Sequence, residues 1–189
     1  ELYILQYRFR DGEKMLKDAQ RLLQPLAIKY PDAYEFRLAK TFHLRGKIHQ
    51  LSFDYEQAFR SYEKALQIRQ RFGGDDSTVY RLALAESYAD IGTLYLSNNQ
   101  FELGYRSLND AMEIYQGIAM EMPATYRASL ANLLQQSGAS YVSTHLYEHG
   151  QKVLLESKEM LMAAHPIANA EELATCQRQL GRLYLAFDD

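Results

Sequence analysis

With 189 residues, 47% of them apolar, the chain has enough material for a sizeable core, and its length suits one or two domains. Its 21 Lys and Arg against 24 Asp and Glu leave a formal charge of −3, so no global field draws it to nucleic acid or to an anionic membrane. A single cysteine, Cys176, excludes an internal disulfide, and no run approaches the roughly 18 apolar residues of a membrane helix.

Glu1 to Arg10 is charged and amphipathic and lacks the apolar stretch of a secretory signal. A helix is expected there over about 1–8. No initiator Met is present, so the chain is expected to start inside a longer protein, with a cytoplasmic location. Helices then follow at about 10–30, 32–51, 54–72, 77–97, 100–120, 124–144, 147–164 and 168–186, because apolar residues recur at intervals of three and four between breaks. Leu82, Leu84, Tyr88, Ile91 and Tyr95 mark one such face; Tyr105, Leu108, Met112 and Tyr115 mark the next. The breaks themselves have clear chemistry. Pro31, Pro123 and Pro166 sit at joints, where a missing N–H is harmless at a helix start. Gly73-Gly74-Asp75-Asp76-Ser77 offers turn glycines followed by capping side chains, and Asn98-Asn99 is a tighter turn.

Residues of matching type return every 46 positions: Gly46, Gly92 and Gly138; Phe9, Tyr55, Phe101 and Tyr147; Gly12, Ala58, Gly104 and Gly150; Ala19, Ala65, Ala111 and Ser157; Leu22, Ile68, Ile114 and Met160. A fixed period of this size means stacked supersecondary units, none of which buries its apolar face alone. Eleven of the 15 tyrosines, Tyr62 and Tyr141 among them, also fall in phase, which points to spacers within the stack. The glycines are expected where the first helix of a pair approaches its second, with Ala58, Gly104 and Gly150 answering from the other side. The expected architecture is all-α: a right-handed α-solenoid, or superhelix, of antiparallel helix pairs. It divides into a partial unit over 1–30, units at about 32–72, 77–120 and 124–164, and a terminal helix at about 168–186, all in one array.

Small residues twelve and nineteen positions after each glycine, and His49, Tyr95, Tyr141 and Tyr184 three positions after Gly46, Gly92, Gly138 and Gly181, give a spacing that resembles the tetratricopeptide repeat. Two departures stand out. The period is longer than is usual for that family, so both helices of each pair should be long. The family's Trp-like position holds Phe42, Tyr88, Leu134 and Gln177, and the last interval shortens from Gly138 to Gly181, so the final unit is degenerate. The resemblance implies a non-catalytic protein–protein interaction scaffold whose first helices line a concave groove for a peptide or partner protein. Mapped through the glycines, that groove would present Lys40, His43, Lys47, Glu86, Asp90, Asn132, Gln135, Gln136, Arg178 and Arg182. The family's clamp for chaperone tails is not reproduced, since Ala89 and Thr93 stand where charge or amide would be needed. The alternative reading is a regulatory or sensor segment of a multidomain signalling or transcription-control protein.

Other chemistries find little support. His145 and His149 flank Glu148, but not in the order of a zinc-binding His-Glu-x-x-His helix, and no third ligand is near in sequence. Cys176 has no motif-level His or Asp companion, and Gly73-Gly74 lacks the Gly-Lys-Ser/Thr continuation of a phosphate loop. Glu13 and Asp18 interrupt the basic run Arg8, Arg10, Lys14, Lys17 and Arg21. No enzyme, cofactor, metal, nucleic acid or membrane is therefore expected. Self-association through the C-terminal helix is a further expectation, from Leu180, Leu183, Tyr184 and Phe187 lacking a following helix.

Overall fold

A computed structural model describes residues 9–72, 77–164 and 169–187. Among them the chain forms eight α-helices and no strand: α1 (Phe9–Lys29), α2 (Pro31–Leu51), α3 (Tyr55–Arg71), α4 (Thr78–Ser97), α5 (Phe101–Glu121), α6 (Pro123–Ser143), α7 (Tyr147–Ala164) and α8 (Ala170–Phe187). Every helix expected from residue 10 onward is present, with ends within two residues of the sequence reading. The expected helix at 1–8, the segment Gly73–Asp76 and Pro166 lie outside the described residues. The chain divides into two compact units, Glu1–Leu94 and Tyr95–Asp189.

The turns that fold helices back on themselves repeat as faithfully as the helices do. Phe53, Asn99 and His145, spaced by 46, all adopt left-handed backbone, with φ of 60°, 59° and 63°. In each case the next N–H reaches back to a carbonyl five residues earlier: Asp54 to His49 at 2.9 Å, Gln100 to Tyr95 at 2.9 Å and Leu146 to Tyr141 at 2.8 Å. This is the Schellman closure of a helix end, which satisfies carbonyls the helix leaves orphaned. Asn99 and His145 are residue types enriched in this conformation, and Phe53 is not. Phe53 and His145 lay their rings edge-on to Tyr55 and Tyr147, with centroids 6.3 and 5.6 Å apart. The opposite joints use proline: Tyr30 and Met122, each extended before Pro31 or Pro123, open α2 and α6.

In the first unit, Ala27, Leu38, Ala39 and Ile68 form a buried cluster with Leu23, Tyr34, Phe42 and Phe72 packed against it. An aromatic trio of Phe36, Phe72 and Tyr80 closes one end, with Phe36 and Tyr80 centroids 4.6 Å apart. Gly46 shows why the small position recurs. A Cβ there would lie 2.5 Å from ring atoms of Tyr62. The occupant is thus a side chain sixteen residues on, where the sequence had suggested Ala58; Ala58 is fully buried nearby in the chain.

The second unit repeats the device with different atoms. A Cβ on Gly138 would lie 2.5 Å from Leu154, again sixteen residues on. Here the expected backbone approach is also present, since a Cβ on Gly150 would sit 3.4 Å from the Gly138 carbonyl oxygen. Ser157, at the second small position, donates its hydroxyl to Ala131 O at 2.8 Å. Leu154, Cys176 and Leu180 form the buried cluster beneath α8. Leu180 and Leu183 are therefore buried within the unit, which corrects their place in the proposed C-terminal self-association surface. Tyr184 and Leu185 are exposed large apolar residues of that helix, and the side chain of Phe187 lies outside the described residues.

Candidate functional site

The ten groove residues fall on the first helices of successive pairs: α2 and α4 in the first unit, α6 and α8 in the second. In the first unit Lys40 and Glu86 are exposed. Lys47 and Asp90 meet, Nζ to Oδ2 at 3.4 Å, and His43 Nε2 lies 3.1 Å from the same oxygen. His43 is not a surface residue. It is 3% exposed, because α3 and α4 close over it, with the Tyr62 ring 5.5 Å away. As a direct groove contact it is corrected to a buried support of Asp90.

Beneath this carboxylate lies Arg69, also 3% exposed. Its Nη1 donates to Ala83 O and, at 2.7 Å, to Ser87 Oγ, and it approaches His43 Nδ1 at 3.4 Å. One guanidinium thus ties α3 to α4 and to α2. Tyr62 closes the set by donating to Gln50 Oε1 at 2.7 Å. Burial pushes the His43 pKa below its ordinary value, although Asp90 pulls the other way. Burial pushes the Asp90 carboxyl up, but His43 and Lys47 outweigh it and hold the group below its ordinary value. Asp90 is therefore ionised and His43 is a neutral ring at pH 7, an arrangement that holds the carboxylate in position.

The sequence reading did not single out Arg69, and it placed Tyr62 among the in-phase spacers without naming its partner glycine. A signal existed for Arg69: positions 46 before, 46 after and 92 after it hold Leu23, Tyr115 and Leu161. A lone cation in an apolar phase needs a polar partner set inside the fold. Tyr62 could have been found as the large residue that a repeating glycine must accommodate.

In the second unit Gln136, Arg178 and Arg182 are exposed, and Asn132 is half-buried. Gln135 Nε2 donates to Glu172 O at 2.9 Å, so it pins α6 to α8. Arg178 Nη2 makes a local bond to Thr175 Oγ1 at 3.2 Å. Cys176 is buried with its Sγ 3.1 Å from Leu154 O, and burial raises its thiol pKa, which suppresses the thiolate. Among the described residues, no group of three His, Cys, Asp or Glu could hold a metal ion. No described helix is long and apolar enough to cross a membrane.

Comparison with known proteins agrees with this geometry. Residues 37–117 match a family model described as tetratricopeptide repeat. No curated protein matches the sequence. Among solved structures, BtubC (BKLC) from P. vanneervenii is similar with a TM-score of 0.59 and 17% identity, over 96% of this chain and 67% of that one. At that identity the likeness is one of fold, an all-α helical repeat.

Proposed function

From the premise that the chain carries tetratricopeptide-type repeats, we propose that it is a non-catalytic interaction scaffold whose first-helix faces receive a peptide or partner protein. Tetratricopeptide repeats in general bind proteins, and the 46-residue frame runs through both units, supporting a single array. The observation that carries the reading is the contrast between surface and support on α2 and α4. Lys40, Lys47 and Glu86 offer charge to solvent, while His43, Arg69 and Tyr62 fix the helices under them. Affinity in such a site comes from a few anchored contacts on a preorganised surface, and total area matters less. In the second unit Gln136, Arg178 and Arg182 provide the corresponding donors, with Gln135 holding the two helices together.

The test is partner capture by the full chain, compared with a triple variant carrying Lys40→Glu, Arg178→Glu and Arg182→Glu. These side chains are exposed, so the fold should survive, as circular dichroism will verify. Loss of specific partners is the expected result. Retention of every partner by the variant rejects the first-helix assignment.

A further inference from the structure

In the first unit a recess of about 450 Å³ lies between α1 and α3, floored by α2 and open to solvent. Its lining is unevenly charged. Among the described residues, Arg45, Lys64 and Arg71 line it against one carboxylate, Glu35. That carboxylate is taken by Arg71 at 3.0 Å. Lys64 has no ion-pair partner among the described residues; its Nζ stands 5.5 Å from the centre of the Phe42 ring. Arg45 Nη2 is 3.8 Å from Glu13, but Lys17 holds Glu13 more closely, at 2.7 Å. Once these pairs are counted, the recess still carries excess positive charge.

Two buried donors at the same wall lack acceptors. Gln20 is 8% exposed, and its Oε1 accepts from Arg45 Nη1 at 2.8 Å. That bond ties α1 to α2, yet it leaves Gln20 Nε2 and Arg45 Nε buried with no hydrogen-bond partner. A donor in that state has lost its water and gained nothing in exchange. The repeat does not require these residues. At positions 46 and 92 later, Gln20 is replaced by Leu66 and Met112, Arg45 by Ile91 and Ser137, and Lys64 by Asp110 and Glu156. The donors are therefore peculiar to this one recess. Its other end keeps the apolar character of the period: Ala27, Leu38 and Ile68 are buried together, and Ile28 stands 80% exposed at the rim. The two ends lie about 10 Å apart, the distance from Gln20 to Ala27 along α1 at ~1.5 Å per residue.

We propose that the α1–α3 recess docks an acidic segment of a partner protein, with an Asp or Glu carboxylate at Gln20, Arg45 and Lys64 and a neighbouring large apolar side chain over Ala27, Leu38 and Ile68. Charge complementarity selects this occupant. An ionised carboxylate only accepts hydrogen bonds, and the polar end offers donors and net positive charge. Gln20 and Arg45 need only turn their side chains toward it, an ordinary adjustment on binding. A protein segment suits the shape better than a small acid. Sites for small molecules enclose most of their ligand, whereas exposed Ile28 and Lys64 leave this trough open along its walls. None of the ten first-helix residues lines the recess, so either assignment can fail alone.

The experiment uses the full chain and a fluorescently labelled peptide of Leu, Glu and Gly, read by anisotropy, with Gln-for-Glu and Lys-for-Glu counterparts. The Glu peptide should bind saturably, the Gln peptide at least tenfold more weakly, and the Lys peptide not at all. Lys64→Glu, at an exposed site where folding is safe, should weaken the Glu peptide about tenfold and reduce the salt dependence of binding. Gln20→Met, which installs the residue found at position 112, should weaken it severalfold, with thermal melting to verify the fold. Arg106→Glu makes the same change of charge at an exposed site in the second unit and should leave affinity unchanged. No saturable binding of the Glu peptide, equal binding of the Glu and Gln peptides, equal losses from Lys64→Glu and Arg106→Glu, or full affinity in Gln20→Met would each overturn the proposal. So would displacement of the peptide by an equal concentration of octanoate, since a small acid would then be the occupant. Concentration-dependent self-association that Lys64→Glu abolishes would overturn it in favour of a second copy of the chain.

Discussion

The two units meet the same packing problem with different chemistry. Position 69 in the first holds a buried arginine; the equivalent position, 92 residues later, holds buried Leu161. His43 corresponds to Gln135, and Tyr62 to Leu154. The first unit is cross-linked by one guanidinium serving Ala83 O and Ser87 Oγ. In the second, neutral bonds do this work, from Ser157 to Ala131 O and from Gln135 to Glu172 O. The period thus dictates where bulk and smallness go, and leaves polarity free to vary. A polar core is also more exposed to error, because a buried ion needs every partner in place.

The largest expected effect separates those cores. Arg69→Ala should cost about 3–5 kcal/mol in urea unfolding, since it opens a cavity and strands Ser87 and the Ala83 carbonyl together. Arg69→Leu, which installs the second unit's solution, removes the cavity but not the orphaned groups, and should cost clearly less than Arg69→Ala. Equal losses would mean that the stranded polar groups alone set the cost and that volume does not matter at this position. Glycine gives the next contrast. Gly138→Ala drives a Cβ to 2.5 Å from Leu154 and should destabilise by about 1–3 kcal/mol. Gly181, whose added Cβ meets nothing within 4 Å, should gain about 0.5–1 kcal/mol from helix propensity when changed to Ala. Thermal melts that shift in the same direction for both would break the packing argument.

Protonation should produce the smallest difference. Burial holds the folded-state pKa of His43 below its ordinary value of 6.5, so the unfolded chain binds the proton more readily. The His43 contribution is then complete above about pH 6.5 and is lost as pH falls toward the depressed folded value. Replacing the ring with the second unit's residue, His43→Gln, should flatten the urea midpoint against pH in that window. An unchanged slope would assign the pH dependence to other groups.

Helix positions were legible in the sequence because the apolar period, the prolines and the Asn98-Asn99 turn all agree, and helix ends landed within two residues. The left-handed turn at Phe53 was not legible, since that residue type does not favour the conformation; only its 46-residue spacing from Asn99 and His145 signals it. The surface reading was legible in part. Lys40, Glu86, Gln136, Arg178 and Arg182 are exposed where phase put them. His43 was misread because polarity was taken as a sign of exposure, whereas Asp90 and Arg69 satisfy it inside the core.

The most direct measurement is a double-mutant cycle on Gly46 and Tyr62, followed by urea unfolding. If Gly46 is small to admit the Tyr62 ring, the cost of Gly46→Ala, about 1–3 kcal/mol, should largely vanish in a Tyr62→Ala background, giving strong coupling. Additive losses would contradict the account, because the repeating glycine would then owe nothing to the side chain sixteen residues beyond it.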